Sequence, residues 1–452
     1  MCHFNLKIMG QEYYIIHLKG RGKMKAVIIA GGKGTRMAEV YPDIPKPMIP
    51  IDGVPVLERT IICLREQGIR DLFITVQHKA EIIINFFGDG KKFGVDIQYF
   101  IEQIPMGNAG ALFSLSDQLD EDFLLINADL VFDIDLRRFI RFHQENKALA
   151  TIIVHPNDHP YDSGIIECAD DGRVTKWHMK ENRRELYYNN LVNAGIHILS
   201  SEIPKQKNIK SRVDLDRDIL TPMIEKGEVF AYKTPEYIKD MGTPERLKQV
   251  ENDFKNGIIQ RRSLLKKQKA IFLDRDGTIN RYVGFMTCID DFELLPGVVD
   301  AIKIFRDLGY LVIVITNQPV IARGDITIDE LDEIHKKMET LLGNEGAYVD
   351  DLFYCPHHPD KGFEGEVLKY KVECGCRKPK PGMLFEAARK YNIELSESWM
   401  VGDGENDIKA GRNAGCKTCF LSKNHTKDLG QVYTLSSLIC FANRLKEEEH
   451  VE

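Results

Sequence analysis

The chain has 452 residues, 43% of them hydrophobic and 29% charged, with a formal net charge of -7. That length allows two or three domains, each with its own core, and the acidic balance leaves no basic footprint for a nucleic acid. No apolar run reaches the roughly 18 residues that a bilayer span requires, and residues 1–22 lack the apolar core and cleavage site of a signal peptide, so a cytoplasmic protein with neither nucleic-acid nor membrane partners is expected.

Residues 1–23 read as an N-terminal extension, with Met1 and Met24 both possible starts because Met24 stands just before the first clear strand. Residues 26–30 form a buried strand, and residues 56–64 place Leu57, Ile61 and Leu64 at helical spacing. A second apolar run over 123–126 ends at Asn127. This alternation of strands and helices predicts an α/β domain over 24–254 with a largely parallel sheet. The basic stretch 255–268 has no periodic pattern and reads as a linker. The alternation then restarts. Strands over 270–273 and 311–315, a helix face of Val298, Ile302, Phe305 and Leu308, and a strand ending at Gly402 predict a second α/β domain over 269–445. No internal repeat relates the halves, which are expected to be two different Rossmann-like domains.

Directly after the first strand comes AGGKGTRM. Gly31, Gly32 and Gly34 allow a tight turn that brings N–H groups against phosphate oxygens. Arg36 can add a bidentate contact, and Lys46, in PKPM, a second cation. Glycines alone are more often an ordinary turn. Together with Thr35, Arg36 and Lys46 at this spacing they point to phosphate binding. The order is neither the Walker motif nor the dinucleotide fingerprint.

The loop resembles the signature of sugar-1-phosphate nucleotidyltransferases, and further pieces match over residues 24–250. PMGNAGAL, with Gly107 and Asn108, NAD, ending at Asp129, VNAGIHIL, with Asn193 and Gly195, and KDMGTPE, with Asp240, each resemble a segment of that family. The resemblance implies a fold built on a mixed sheet. It also implies that Asp129 and Asp240 hold Mg²⁺, that Arg36 and Lys46 stabilise phosphate charge, and that Gly31, Gly32, Gly34, Thr35, Gly107, Asn108, Asn193 and Gly195 bind substrate. In such a reaction a sugar phosphate oxygen attacks the α-phosphate of a nucleoside triphosphate, and positioning and charge neutralisation supply most of the catalysis. One departure stands out: in WHMKEN, Met179 takes the place of the acid that this family carries before Lys180.

In the second half, Asp274 and Asp276 sit in FLDRDGT immediately after a strand, the end at which α/β sheets place ligands. Two carboxylates two residues apart could be a solvated turn. With Thr316 at the end of LVIVIT, Lys378 in CRKPKP, and Asp403 and Asp407 in VGDGENDI, the set resembles that of haloacid-dehalogenase-like phosphatases. The resemblance implies that Asp274 is the nucleophile that forms an aspartyl-phosphate, and that Asp276 is the general acid and base. Thr316 and Lys378 bind the phosphoryl group. Asp274, Asp403 and Asp276 (through its carbonyl) hold Mg²⁺, with Asp407 supporting them.

Ten cysteines are scattered except for one group. Cys355 with His357 and Cys374 with Cys376 form two close pairs, a ligand set that suits tetrahedral Zn²⁺ in a structural role. The zinc loop leads straight into Arg377 and Lys378. Together with TNQPVIARG, which carries Asn317 and Arg323, it is similar to the heptose-1,7-bisphosphate 7-phosphatases, with histidinol-phosphate phosphatases as near relatives. Arg377, Arg323 and Asn317 would contact substrate. Gly404 stands where some members carry Lys.

Joined in one chain, the resemblances imply consecutive steps. The 7-phosphate of heptose 1,7-bisphosphate is removed, and heptose 1-phosphate then receives a nucleotidyl group, with GTP the preferred donor and GDP-heptose the product. A hexose-1-phosphate nucleotidyltransferase, such as one acting on mannose 1-phosphate, fused to a histidinol-phosphate-like phosphatase is the alternative enzyme. A sensing or scaffold module with one inactive half is the non-enzyme alternative, and it is disfavoured because every key carboxylate and cation is present.

Overall fold

The computed structural model describes residues 5–8, 11–14, 24–32, 34, 36–181, 185–206, 212–362, 364–423 and 428–449. Thr35, one of the expected phosphate-binding residues, lies outside them. Within the expected extension, residues Asn5–Ile8 and Gln11–Tyr14 pair as a short antiparallel hairpin.

The first half is built on a nine-stranded mixed sheet. Its central strand is β1 (Lys25–Ile29), whose Ala26, Val27 and Ile28 are fully buried. Parallel to β1 on one side run β2 (Asp71–Val76) and then β3 (Asp96–Ile101). On its other side lies β4 (Phe123–Asn127), also parallel. The inner strands β1, β2 and β4 are mostly apolar on both faces, as expected of strands covered on both sides, whereas β3 at the edge exposes Asp96 and Gln98. Just after β4 the chain leaves the sheet as β5 (Leu130–Asp133). It returns as β6 (Ala150–His155), the hairpin β7 (Ile165–Cys168) and β8 (Val174–His178), and the long β9 (Val192–Leu199), which pairs antiparallel with β4. Strand β10 (Val229–Lys233) runs parallel to β6. Strand β11 (Tyr237–Asp240) then pairs antiparallel with β5 as a separate two-stranded ribbon. The first helix, α1 (Val56–Glu66), buries Leu57, Ile61 and Leu64, the stripe read from the sequence.

The second half carries a six-stranded, all-parallel sheet. From one edge to the other its strands are β14 (Asp351–Cys355), β13 (Leu311–Asn317), β12 (Ala270–Leu273), β15 (Trp399–Gly402), β16 (Lys417–Leu421) and β17 (Tyr433–Leu435). The order reverses at β12, so the ends of β12, β13 and β15 open on one crevice. Covering helices include α2 (Val298–Asp307), α3 (Ile328–Asn344) and α4 (Glu405–Ala414). Helix α3 starts with a capping box, in which the Thr327 hydroxyl and the Glu330 carboxylate each accept the other's backbone N–H.

The basic stretch read as a linker is packed between the halves. Arg262 is 5% exposed and bonds both oxygens of Asp350 at 3.1 and 3.2 Å. Leu264 is buried in the second half's core while its N–H donates to Glu236 of the first half at 2.8 Å. Residues Ile258–Arg261 form a single helical turn that buries Ile259 in the first half's core, a piece too short to show periodicity in a basic stretch. Among the described residues no helix is long and apolar enough to cross a membrane.

Candidate functional sites

In the first half, the turn after β1 is anchored where Ala30 donates to Thr75 in β2 at 2.8 Å. Gly31 and Gly32 line a cavity of about 960 Å³ together with Gly107 and Asn108. Gly107 has φ +83°, and a Cβ there would lie 2.1 Å from the carbonyl oxygen of Val213, so the two backbones meet only because this residue is glycine. Asn108 accepts the N–H of Leu215 at 2.7 Å and holds the segment that follows.

An adjoining cleft of about 540 Å³ gathers Arg36, Asp129, Asn193, Gly195 and Asp240. Asp214 and Arg217 line both cavities, so the segment around them is their shared wall. The ribbon of β5 and β11 places the two expected metal ligands side by side: Asp240 is in register with Leu130, and Met241 donates to the Asp129 carbonyl at 3.0 Å. Lys46 pairs with the Asp129 carboxylate. Burial alone would raise the Asp240 carboxyl. Arg246, bonded to both its oxygens at 2.8 and 3.0 Å, the Gly242 N–H and nearby Lys46 outweigh burial and hold it below the usual range. Two adjacent carboxylates flanked by cations, beside a glycine-lined cavity, suit a divalent cation with phosphate oxygens completing its shell.

Several residues here escaped the sequence reading. Asp216 lies in a π-helical turn (Leu215–Leu220) and faces the cleft, where burial and the neighbouring Asp214 push its carboxyl up to about 7. Arg246 follows Asp240 at a six-residue spacing that places it on the next helix, with no motif to flag it. Met179 and Lys180 do line the cleft, as does His155, whose imidazole burial pulls down to about 4.

In the second half, a pocket of about 360 Å³ at the strand ends holds Asp274, Asp276, Thr316, Asn317, Arg377, Lys378, Asp403 and Asp407. Lys378 is its centre, 2.7 Å from Asp274, 2.6 Å from Asp407 and 2.7 Å from the Ile315 carbonyl. Burial would lower this ammonium, but the two carboxylates outweigh it and push it up to about 12. Asn317 clamps the Lys378 backbone, accepting its N–H and donating to its carbonyl, both at 3.0 Å. Carboxylate oxygens of Asp274, Asp403 and Asp407 all lie within 4.8 Å of one another. Burial and then Asp407 push the Asp274 carboxyl up to about 7, and the same causes push Asp403 up to about 6. Such crowding, which pushes up both Asp274 and Asp403, is what a bound divalent cation would relieve.

The carboxylate of Asp276 turns the other way. It accepts from Arg275 at 2.9 and 3.0 Å, from Asn280 at 3.0 Å and from Gln318 at 2.8 Å. Arg275 is completely buried and donates onward to the His335 ring at 3.1 Å. Burial and then Arg275 hold that imidazole well below its ordinary range, so it accepts as the neutral ring. None of Arg275, Asn280, Gln318 and His335 was expected from the sequence, although the first stands between the two aspartates and Gln318 directly follows Asn317. Arg323 lies outside the pocket lining, with its guanidinium 4.4 Å from the Phe285 ring and 2.7 Å from Asp325; Phe285 does line the pocket.

Beside this pocket Cys355, His357, Cys374 and Cys376 converge. Cys376 Sγ is 3.3 Å from both other sulfurs and 3.4 Å from His357 Nδ1, and Cys355 is 3.6 Å from Cys374 and from His357. Tetrahedral thiolates about 2.3 Å from one ion would stand a little wider apart, so the four donors fit a metal with minor adjustment. The cluster also orders the pocket, since Arg377 donates to the His357 carbonyl at 3.2 Å.

The first half thus carries a cleft in which carboxylates are flanked by cations, and the second a smaller pocket built around the buried Lys378. A family model for nucleotidyl transferases matches residues 25–257, just over half of the chain, and one for haloacid dehalogenase-like hydrolases matches residues 225–415. A D-glycero-alpha-D-manno-heptose-1,7-bisphosphate 7-phosphatase of Photorhabdus laumondii is 43% identical over 157 residues, covering 35% of this chain and 84% of that protein. A D-glycero-beta-D-manno-heptose-1,7-bisphosphate 7-phosphatase of Haemophilus influenzae is 38% identical over 183 residues, covering 39% of this chain and 97% of that one. The crystal structure of HddC from Yersinia pseudotuberculosis is similar at 27% identity and a TM-score of 0.45, covering 51% of this chain and 99% of that one. The chain belongs to the nucleotidyl transferase family in its first half and to the haloacid dehalogenase-like hydrolases in its second, and it is an enzyme that joins a transferase to a phosphatase.

Proposed function

We propose that the chain carries out two consecutive steps on one sugar, hydrolysing the 7-phosphate of D-glycero-D-manno-heptose 1,7-bisphosphate and then transferring GMP from GTP to the resulting heptose 1-phosphate. The observation that carries this reading is the covalent union of the two heads: phosphatases similar to the second half act on a heptose bisphosphate, and a sugar 1-phosphate is what a head of the first kind consumes.

In the phosphatase pocket, an oxygen of Asp274 attacks phosphorus while the bond to the sugar oxygen breaks. Asp276 gives its proton to that oxygen. Water then attacks the aspartyl-phosphate, returning a proton to Asp276 and releasing phosphate. Lys378, Thr316 and Arg377 hold the phosphoryl oxygens. Mg²⁺ held by Asp274, Asp403 and the Asp276 carbonyl would neutralise phosphoryl charge. Zn²⁺ in the Cys355–His357–Cys374–Cys376 cluster would fix the loop that presents Arg377 and Lys378. In the cleft, Arg36 and Lys46 would steady the triphosphate, and Asp129 and Asp240 would hold a second Mg²⁺. Both reactions would take place in the cytoplasm.

Purified protein is given the bisphosphate, Mg²⁺ and one nucleoside triphosphate at a time, with phosphate, pyrophosphate and nucleotide-sugar followed by mass. GDP-heptose together with both released ions is the expected result. Phosphate release without nucleotide-sugar under any triphosphate would overturn the transferase half of the reading.

A further inference from the structure

We infer that helix α3 of the phosphatase half braces the wall of the transferase cleft from behind, with Thr340, Glu339 and Gly343 as positioning residues for the sugar phosphate in the other head. The inference rests on reading the 540 Å³ cleft as the sugar-phosphate site.

Two irregular segments frame that cleft. One is residues 155–164, which contributes His155, Asn157, His159 and Ser163; the other leads into Val192 and Asn193 at the start of β9. Irregular backbone stays where its polar groups find partners, and here those partners form one chain. The Asn190 side chain accepts the Asn157 N–H at 3.1 Å and donates to the Asn157 carbonyl at 2.7 Å, so it takes over both backbone groups of a cleft residue. Asn157 in turn accepts the His159 N–H at 3.2 Å and donates to the Ser163 hydroxyl at 3.3 Å. Asn190 is therefore the fixing point of the first segment and lies two residues before the second.

What holds Asn190 belongs to the other half. Its N–H donates to Glu339 at 2.6 Å. Two residues earlier, the Thr340 hydroxyl accepts the Tyr188 N–H at 2.9 Å and donates to the Tyr188 carbonyl at 3.1 Å. Asn157, Tyr188, Asn190 and Thr340 are all buried, so water does not readily replace these partners. The third contact is steric. Pro160 lies against Gly343, and a Cβ on Gly343 would come 2.6 Å from the proline ring. All three contacts come from consecutive turns of a 17-residue helix that also packs in the phosphatase core. A helix of one head thus sets an irregular wall of the other. A small misplacement of such a wall is felt in binding before it is felt in the stability of either sheet.

The test uses the full chain and measures both activities in each sample. Thr340→Val should raise KM for heptose 1-phosphate in nucleotidyl transfer about tenfold, leave KM for the triphosphate unchanged, and leave phosphatase kcat within about twofold. Thr340→Ser, which keeps the hydroxyl, should restore the native KM. Gly343→Ala should raise the same KM by pushing Pro160 into the cleft. Phosphatase activity in the same tube reports whether α3 is folded. Unchanged sugar-phosphate KM in Thr340→Val and Gly343→Ala, or a parallel loss of both activities, overturns the inference. Asn193→Ala separates it from the reading beneath: if that variant raises KM and the α3 variants do not, the inference alone falls. If none of the three moves KM, the cleft is not the sugar-phosphate site and both fall.

Discussion

The two heads treat phosphate in different ways. In the transferase cleft Asp240 is matched by Arg246 and Asp129 by Lys46, each acid by its own cation, with Arg36 also in the lining. In the phosphatase, three carboxylates and Lys378 are packed into a smaller pocket, and two of the acids are pushed well above the ordinary carboxylate range. The contrast suits the two reactions proposed for the heads. Nucleotidyl transfer forms no bond to the protein, so the cleft has to position and neutralise. An aspartate that attacks phosphorus must be held, shielded and charge-balanced within a few ångströms. The first arrangement gives each of these acids its own cation, whereas the second crowds three acids beside one lysine.

The sharpest way to break that comparison is a reciprocal pair of variants. Asp274→Asn should lower phosphatase turnover by about 10⁴-fold or more by removing the nucleophile and leave pyrophosphate release within about twofold. Asp129→Ala should lower nucleotidyl transfer by roughly 10²–10³-fold and spare the phosphatase. Separate phosphate and pyrophosphate assays on each protein read this out, and a variant that lowers both activities equally would show that the heads are not chemically independent.

A smaller effect sharpens the picture of the compact pocket. Cys376→Ser should cost the phosphatase roughly 10–100-fold in kcat/KM, because the loop carrying Arg377 and Lys378 loses its anchor. It should also lower bound zinc measured by mass spectrometry, with transferase kinetics unchanged. An intact phosphatase in a zinc-free Cys376→Ser protein would reduce the cluster to a bystander.

The smallest expected effect concerns acid. Burial pulls the His197 imidazole in β9 down to about 4, against about 6.5 for the unfolded chain. The folded state therefore binds fewer protons between these values. This contribution to stability is fully present above about pH 6.5 and is lost as pH falls toward 4. His335 in the phosphatase carries the same sign, so the informative quantity is the difference between two proteins. In thermal unfolding, His197→Gln should lose less Tm than the native chain between pH 7 and pH 4.5, by roughly 5 °C. Parallel curves would remove His197 as a source of the slope.

Much of the fold could be read in the sequence because it depends on local pattern. The strand at Ala26–Ile28, the Leu57, Ile61 and Leu64 stripe and the strand at 270–273 each declare themselves by apolar periodicity. The residues brought together in the phosphatase pocket were legible because each belongs to a short motif: Asp274, Thr316 and Asp403 at strand ends, Lys378 in the loop after the cysteine pair and Asp407 in the first turn of α4. What stayed hidden depends on contacts between distant segments. Arg246 and Asp216 face the cleft from a helix and a π-helical turn without any motif. The pairing of Arg275 with His335 joins residues sixty positions apart. The packing of residues 262–264 between the halves could not be read from a basic, aperiodic stretch, because a buried guanidinium there makes sense only once Asp350 is seen opposite it.

That joint bears on how such a chain can change over generations. Asp350 is shared by Arg262 from the joint and Arg306 from α2, at 3.1 and 3.3 Å, and Glu236 accepts N–H groups from both Asp135 and Leu264. A gene fission falling after Leu264 in this stretch would strip the buried Asp350 of one guanidinium and part Leu264 from the core it fills, costs of about a few kcal/mol that the separate products would have to offset by new substitutions. Loss of either chemistry by a single substitution at an active site carries no such penalty. Descendants of this chain should therefore become single-function far more readily than they come apart.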